Sequence, residues 1–177
     1  MATIGIFFGS DTGQTRKVAK LIHQKLDGIA DAPLDVRRAT REQFLSYPVL
    51  LLGTPTLGDG ELPGVDAGSQ YDSWQEFTNT LSEADLTGKT VALFGLGDQL
   101  NYSKNFVSAM RILYDLVIAR GACVVGNWPR EGYKFSFSAA LLENNEFVGL
   151  PLDQENQYDL TEERIDTWLD KLKQAVL

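Results

Sequence analysis

Three short stretches of this 177-residue chain are apolar at nearly every position: "TIGIFF" (Thr3 to Phe8), "PVLLLGTP" (Pro48 to Pro55) and "KTVALFGLG" (from Lys89). A strand with one face in water alternates apolar and polar residues. Unbroken runs of this length, rich in β-branched and aromatic side chains, therefore belong to strands covered on both faces. Between them lie helical stripes. Val18, Leu21, Ile22, Leu26 and Ile29 recur at three- and four-residue spacing in a helix predicted to start near Gly13. Tyr71, Trp74, Phe77 and Leu81 form a second stripe, and Phe106, Met110, Leu113 and Val117 a third. Ile165, Trp168, Leu169, Leu172 and Val176 form the last, opened by "LTEE" with Thr161 as its N-cap. A half-polar "LDVRRA" and "GACVVGNW" from Gly121 bring the strand count to five. Such alternation predicts an α/β fold, a doubly wound parallel sheet with helices on both faces and right-handed crossovers. "PVLLLGTP" is expected at its centre. The stretch from Asn127 to Glu146 is aromatic, polar and aperiodic, and is followed by a strand-like "FVGLPLD". It reads as an insertion (127–146) that splits or extends the last strand of one domain spanning 1–177.

Bulk properties remove several function classes. No run approaches the roughly 18 apolar residues of a membrane span, and "MATIGIFFGSD" lacks the basic region of a secretion signal. A soluble, cytoplasmic protein is expected. The lone cysteine, Cys123, and the lone histidine, His23, disfavour an internal disulfide, a zinc site and Ser-His-Asp chemistry, so no metal and no catalytic residue is assigned. Cys123 is expected to be a buried small hydrophobe and His23 a surface residue. The net charge of −8 has one location: from Glu42 to Thr87 there are eight acids and no Lys or Arg. That asymmetry argues against nucleic acid and for partners with basic surfaces, although simple solubility would also account for it.

In a parallel α/β sheet, ligands sit outside the carboxyl ends of the strands. Three glycine-rich loops leave such ends: "GSDTGQT" (Gly9 to Thr15), "GTPTLGDGELPG" and "GLGDQLNY". The first lacks the lysine of a nucleotide P-loop and is not Gly-x-Gly-x-x-Gly. It offers the hydroxyls of Ser10, Thr12 and Thr15 and the free N–H groups of a helix start, a neutral donor set suited to one terminal phosphate or to a bare N-cap turn.

Together with "PTLGDGEL" and "GLGDQLNYSKNF", this loop resembles the FMN-binding loops of flavodoxins. The resemblance runs from Ile4 to about Leu172. "GYKF" in the 127–146 stretch is similar to the insertion of long-chain flavodoxins, and "TPTLGDGELPG" to flavodoxins that serve nitrogenase. The resemblance implies strand order 2-1-3-4-5 and FMN as cofactor. It places the phosphate on Ser10, Asp11, Thr12, Gly13, Gln14 and Thr15. The ring would lie between Pro55, Thr56, Leu57, Gly58 and Asp59 on one side and Gly95, Leu96, Gly97, Asp98, Gln99 and Tyr102 on the other.

By the same resemblance Tyr102 stacks on one face of the ring, adding about 0.5–1.5 kcal/mol beyond its buried area. Leu57 stands where many relatives carry tryptophan, so the opposite contact is looser. The Gly58–Asp59 peptide flips on the first reduction, and the Asp98 amide meets the pyrimidine edge. Asp59, Glu61 and Asp98 precede any cation in these loops until Lys104. A like charge about 10 Å away at an effective dielectric of 20 repels a reduced flavin by roughly 1–2 kcal/mol, which pulls the second couple negative. The directions of Arg16 and Lys17 decide how much of the phosphate charge is cancelled.

The implied protein is a monomeric one-electron carrier, not an enzyme, cycling FMN between semiquinone and hydroquinone at low potential. Its implied partners are nitrogenase iron protein, pyruvate:flavodoxin oxidoreductase or ferredoxin/flavodoxin-NADP reductase. An FMN-dependent NAD(P)H:quinone or azo reductase and a non-redox binder of a phosphorylated metabolite are the competing readings. Trp74 and Trp168 are expected in the core. Tyr133 and Phe135 mark either a partner surface or an insertion packed on itself.

Overall fold

The computed structural model describes residues 2–176. Its main sheet contains β1 (Ile4–Phe8), β2 (Leu34–Asp35), β3 (Val49–Pro55), β4 (Thr90–Leu96) and β5 (Cys123–Val125), all parallel in the order β2-β1-β3-β4-β5. The helices are α1 (Gln14–Lys25), α2 (Arg41–Leu45), α3 (Trp74–Thr80), α4 (Ala109–Ala119) and α5 (Thr161–Val176). A short antiparallel ribbon joins β6 (Trp128–Pro129) to β7 (Glu146–Phe147), and β8 (Leu150–Leu152) returns to the main sheet beside β4. The last strand is indeed divided: β5 pairs with Thr90 to Ala92, and β8 with Phe94 to Leu96, further along the same strand.

Why the apolar runs are unbroken is visible in the packing. Alternate residues point to opposite faces, and both faces are covered. On one, Ile4, Val49, Leu51 and Ala92 meet Leu26, just after α1, and Leu169 and Leu172 of α5, and Phe94 meets Trp168 at 6.2 Å. On the other, Phe7 packs on Phe44 of α2 at 5.1 Å, Phe44 on Phe77 of α3 at 5.6 Å, and Met110 of α4 lies over Gly95. Trp74 and Trp168 are both fully buried.

The segment between β5 and β8 has a small core of its own. Tyr133, Phe135 and Phe147 surround Phe106, with ring centroids 5.6, 5.4 and 6.0 Å from it. The Tyr133 hydroxyl donates to the Pro151 carbonyl (2.7 Å), and burial pushes its pKa up. Of the two readings of Tyr133 and Phe135, the packing favours an insertion folded on itself.

Several local expectations are corrected. "LDVRRA" contributes only Leu34–Asp35 to the sheet before the chain turns. Tyr71 lies outside the helix, because Ser73 N–H donates to Glu76 Oε1 (2.8 Å) and starts α3 at Trp74. Its ring instead stacks under the Arg37 guanidinium at 3.7 Å. Cys123 is exposed, since it opens a three-residue edge strand with one neighbour. Thr161 is buried inside the helical run and donates its hydroxyl to Gln154 Oε1 rather than capping α5. His23 is half-buried. Helix α2 and the β6–β7 ribbon were not expected; the Thr40–Gln43 capping box that opens α2 was a readable signal.

Phe147 is fully buried where the ribbon meets α4's approach. Replacing it by alanine is expected to cost about 3–5 kcal/mol, measured as a shift of the urea unfolding midpoint at unchanged m-value.

Candidate cofactor-binding site

The strands end nearly level, with Phe8 opposite Gly53 and Pro55 opposite Leu96, so the loops that follow converge on one edge. They enclose a cleft of about 360 Å³. Asp11, Thr12, Gln14 and Thr15 from the first loop, Pro55, Thr56 and Leu57 from the end of β3, and Leu96, Gly97, Asp98 and Tyr102 from the end of β4 line it. The reading from sequence named all eleven. It missed Gln154 and Glu155, which complete the lining from the loop after β8. The signal was available, because a strand-like "FVGLPLD" must also present a loop at a carboxyl end.

At the first loop, Gly13 has φ +95°, a conformation that only glycine adopts without strain, and its N–H is closed onto Ser10 Oγ at 3.0 Å. No side chain caps α1, and its first turn contains no acid. The start of this twelve-residue helix therefore presents backbone N–H groups and the neighbouring hydroxyls to a ligand anion. Arg16 turns away: its guanidinium pairs with Asp35 at 2.9 Å and lies 5.1 Å over the Phe8 ring. Lys17 lines a neighbouring groove with Gln154, Glu155 and Tyr158. No Lys or Arg lines the cleft itself, whereas Asp11, Asp98 and Glu155 do.

Buried Trp74 supports this loop from below. Its Nε1–H donates to the Gly53 carbonyl (2.8 Å), the same oxygen that accepts from Gly9 N–H (3.0 Å). Thr56 Oγ1 accepts from Ala109 N–H (3.1 Å) and ties the second loop to α4. Beyond it, Leu57 and Glu61 exchange backbone hydrogen bonds of 2.9 and 2.7 Å around a hairpin tip in which Gly58 and Asp59 are exposed and Gly60 is half-buried. Gly58 has φ +51°, and Asp59 is outside the left-handed region.

The third loop is braced from inside. Asp98 accepts from Leu100 N–H (3.1 Å), Asn101 N–H (2.9 Å), and the Asn101 and Asn156 amides (both 2.8 Å). Burial alone would raise its pKa, but these donors outweigh it and hold the carboxyl below its usual range. Gln99 is buried and its side chain does not reach the cleft: its N–H and Nε2 donate to Asp153 Oδ2 (3.0 and 2.8 Å), and its Oε1 accepts from Lys134 N–H (2.6 Å). It joins the loop, β8 and the insertion. Gly95 packs under Met110, and Ser10 and Gly13 face a second hollow beside Arg16 and Arg37. Gly58 and Asp59 stand on the exposed hairpin rather than in the lining.

With this arrangement in hand, comparison with known proteins identifies the class. The chain belongs to the flavodoxin family, whose Flavodoxin family model matches residues 6–168. It is 99% identical to a flavodoxin of Enterobacter agglomerans and 60% identical to one of Klebsiella pneumoniae, each over the full length of both chains. Its structure is similar to the crystal structure of Fusobacterium nucleatum flavodoxin bound to flavin mononucleotide, with TM-score 0.87, 34% identity and 99% of each chain covered. Flavodoxins are FMN-bound electron-transfer proteins, not enzymes, which sets aside the reductase reading.

Because the folded pKa of Asp98 lies below its unfolded value of about 3.9, its contribution to stability is complete above that pH and is lost as pH falls through the folded value. Carbon-detected NMR titration is expected to show a depressed Asp98 midpoint. Asp98→Asn is expected to flatten the acid limb of the stability curve.

Proposed function

We propose that this chain binds FMN in the cleft and works as a low-potential one-electron carrier for partners with basic docking surfaces. The observation that carries the reading is the donor set. Hydroxyls and helix N–H groups of the first loop share one cleft with Tyr102 and Leu57, and among the described residues every charged side chain in its lining is acidic. Ser10, Thr12 and Thr15 with the first amides of α1 would hold the phosphate. Tyr102, Leu57 and the Gly97–Asp98 backbone would hold the ring. When bound, FMN supplies one-electron redox chemistry between its half-reduced and fully reduced forms.

The chain's own contribution is electrostatic. Asp11, Asp98 and Glu155 oppose the build-up of negative charge in the cleft, while Arg16 and Arg37 line the adjoining hollow with Ser10 and Gly13, where Arg16 is paired with Asp35. Gly58 can rotate its ψ at small steric cost, so the Gly58–Asp59 peptide on the hairpin next to Leu57 is suited to turning over.

Nitrogenase iron protein is the acceptor favoured by "TPTLGDGELPG" and by the acid-only segment from Glu42 to Thr87. Pyruvate:flavodoxin oxidoreductase and ferredoxin/flavodoxin-NADP reductase are the donors considered, with the protein acting as a cytoplasmic monomer. No helix among the described residues is long and apolar enough to cross a membrane.

Titration of the apoprotein with FMN is expected to give one site per chain, and a protein that takes up no FMN would overturn the reading. Thr12→Val and Thr15→Val should weaken FMN but leave riboflavin, which lacks the phosphate, nearly unaffected. Tyr102→Ala should weaken both equally, by at least about 2- to 13-fold, the loss from about 0.5–1.5 kcal/mol of stacking before the lost contact area is added. Reduction of purified nitrogenase iron protein by the reduced holoprotein should slow as salt is raised.

A further inference from the structure

Asp153 follows directly on β8, is 0% exposed, and does not line the cleft. Among the described residues no Lys or Arg forms an ion pair with it. A fold keeps a carboxylate in such a place only where hydrogen bonds satisfy both of its oxygens. Oδ2 accepts from Gln99 N–H (3.0 Å), Gln99 Nε2 (2.8 Å) and Asn156 Nδ2 (2.9 Å), while Oδ1 accepts from Glu155 N–H (3.1 Å) and Asn156 N–H (3.0 Å). Every one of these donors belongs to the loop after β4 or the loop after β8, the loops that bring Asp98 and Glu155 to the cleft. Asn156 closes the frame, because its Nδ2 also donates to Asp98 Oδ1 (2.8 Å) and so joins the two carboxylates.

The same bonds decide which backbone donor is left over. In the loop after β4, Gly97 N–H donates to the Leu152 carbonyl (3.1 Å) and Gln99 N–H to Asp153. Leu100 and Asn101 N–H donate to the Asp98 side chain, and Tyr102 N–H to the Asp98 carbonyl (2.9 Å). From Gly97 to Tyr102, only Asp98 N–H has no acceptor among the described residues, and Asp98 is a half-buried residue of the cleft lining. Backbone donors shielded from water seldom stay unpaired, so this one is available to a ligand.

We propose that Asp153 is a positioning residue for the flavin ring: by taking up Gln99 N–H and locking the loop after β8 against it, its carboxylate leaves Asp98 N–H to donate to an acceptor atom of the ring. The proposal rests on the FMN reading of the cleft and adds to it a buried residue that does not touch the cofactor. Asparagine at position 153 would turn an NH2 group onto donors that now meet a carboxylate oxygen, and donors that face one another force the two loops apart.

The test titrates FMN and riboflavin into the native apoprotein, Asp153→Asn, Asn156→Ala and Asp31→Asn, and follows hydrogen exchange at Asp98 N–H by NMR with and without FMN. Asp31 is the control, a carboxylate that accepts from the Tyr47 hydroxyl (2.8 Å) and lies beside Ile4 at the opposite end of β1. Asp153→Asn is expected to weaken both flavins by the same factor, about tenfold, and to abolish the slowing of Asp98 exchange that FMN produces in the native protein. Asn156→Ala should weaken both by about threefold, and Asp31→Asn should match the native chain. Affinities within about twofold of native for Asp153→Asn, or a greater loss for FMN than for riboflavin, would overturn the proposal. So would an equal loss with Asp31→Asn, which is general loosening, or native Asp98 exchange that FMN leaves unchanged. If Asp153→Asn does not fold, Asn156→Ala and the native exchange measurement decide by the same criteria. A native chain that takes up no FMN overturns the carrier reading itself.

Discussion

Everything at the candidate site depends on the parallel pairing of β3 between β1 and β4. The three strands are buried on both faces and in fixed register, so their carboxyl ends finish at one level and their loops are delivered to one place. Gly53 shows how closely the two are coupled. Its carbonyl accepts from Gly9, where the first loop begins, and from the indole of Trp74, where α3 begins. A ladder bond of the core is therefore also a fixture of the loop that would meet the phosphate. The core's rigidity is transmitted to the site with no flexible joint between them.

Charge gives the site its character through placement more than through number. An arginine next to a phosphate-binding loop would ordinarily be expected to neutralise the ligand. Here the guanidinium of Arg16 is committed to Asp35 and to the face of Phe8, leaving neutral donors at the cleft and only carboxylates among its charged walls. Asp98 is held ionised by N–H donors from its own loop and from Asn156, so its negative charge persists without a cation. The arrangement sets neutral donors among acidic side chains, which is what the proposed low-potential role rests on.

The insertion joins these parts. Lys134 N–H, Gln99 and buried Asp153 connect it to the cleft-side loop and to β8, while its aromatic residues pack around Phe106. Much of the fold was legible in the chain because burial on two faces leaves an unmistakable run of apolar residues, and because α1, α4 and α5 keep most of their stripes, although Leu26 and Ile29 follow α1 and Phe106 precedes α4. The misreadings have local causes. Tyr71 kept helical spacing with Trp74, yet the Ser73–Glu76 hydrogen bond begins the helix after it, and Arg37 claims its ring. Cys123 sits in an apolar run, yet that run is an edge strand of three residues. Gln99 lies in a loop that faces the cleft, but its amide turns inward because Asp153 and Lys134, distant in sequence, supply partners there.

By itself the sequence determined the alternation of strands and helices, the carboxyl-end loops, the neutral chemistry of the first loop and the acidic bias of the segment after α2. Each of these depends on neighbours a few residues apart, through side-chain period, turn preference or local charge. Only the tertiary structure decided that Arg16 faces Asp35, that Gln154 and Glu155 close the cleft, and that Phe137 is the most exposed of the insertion's aromatic residues. Those outcomes are set by pairing partners tens of residues away, and a side chain's direction is chosen by whichever partner the fold brings within hydrogen-bonding or packing distance.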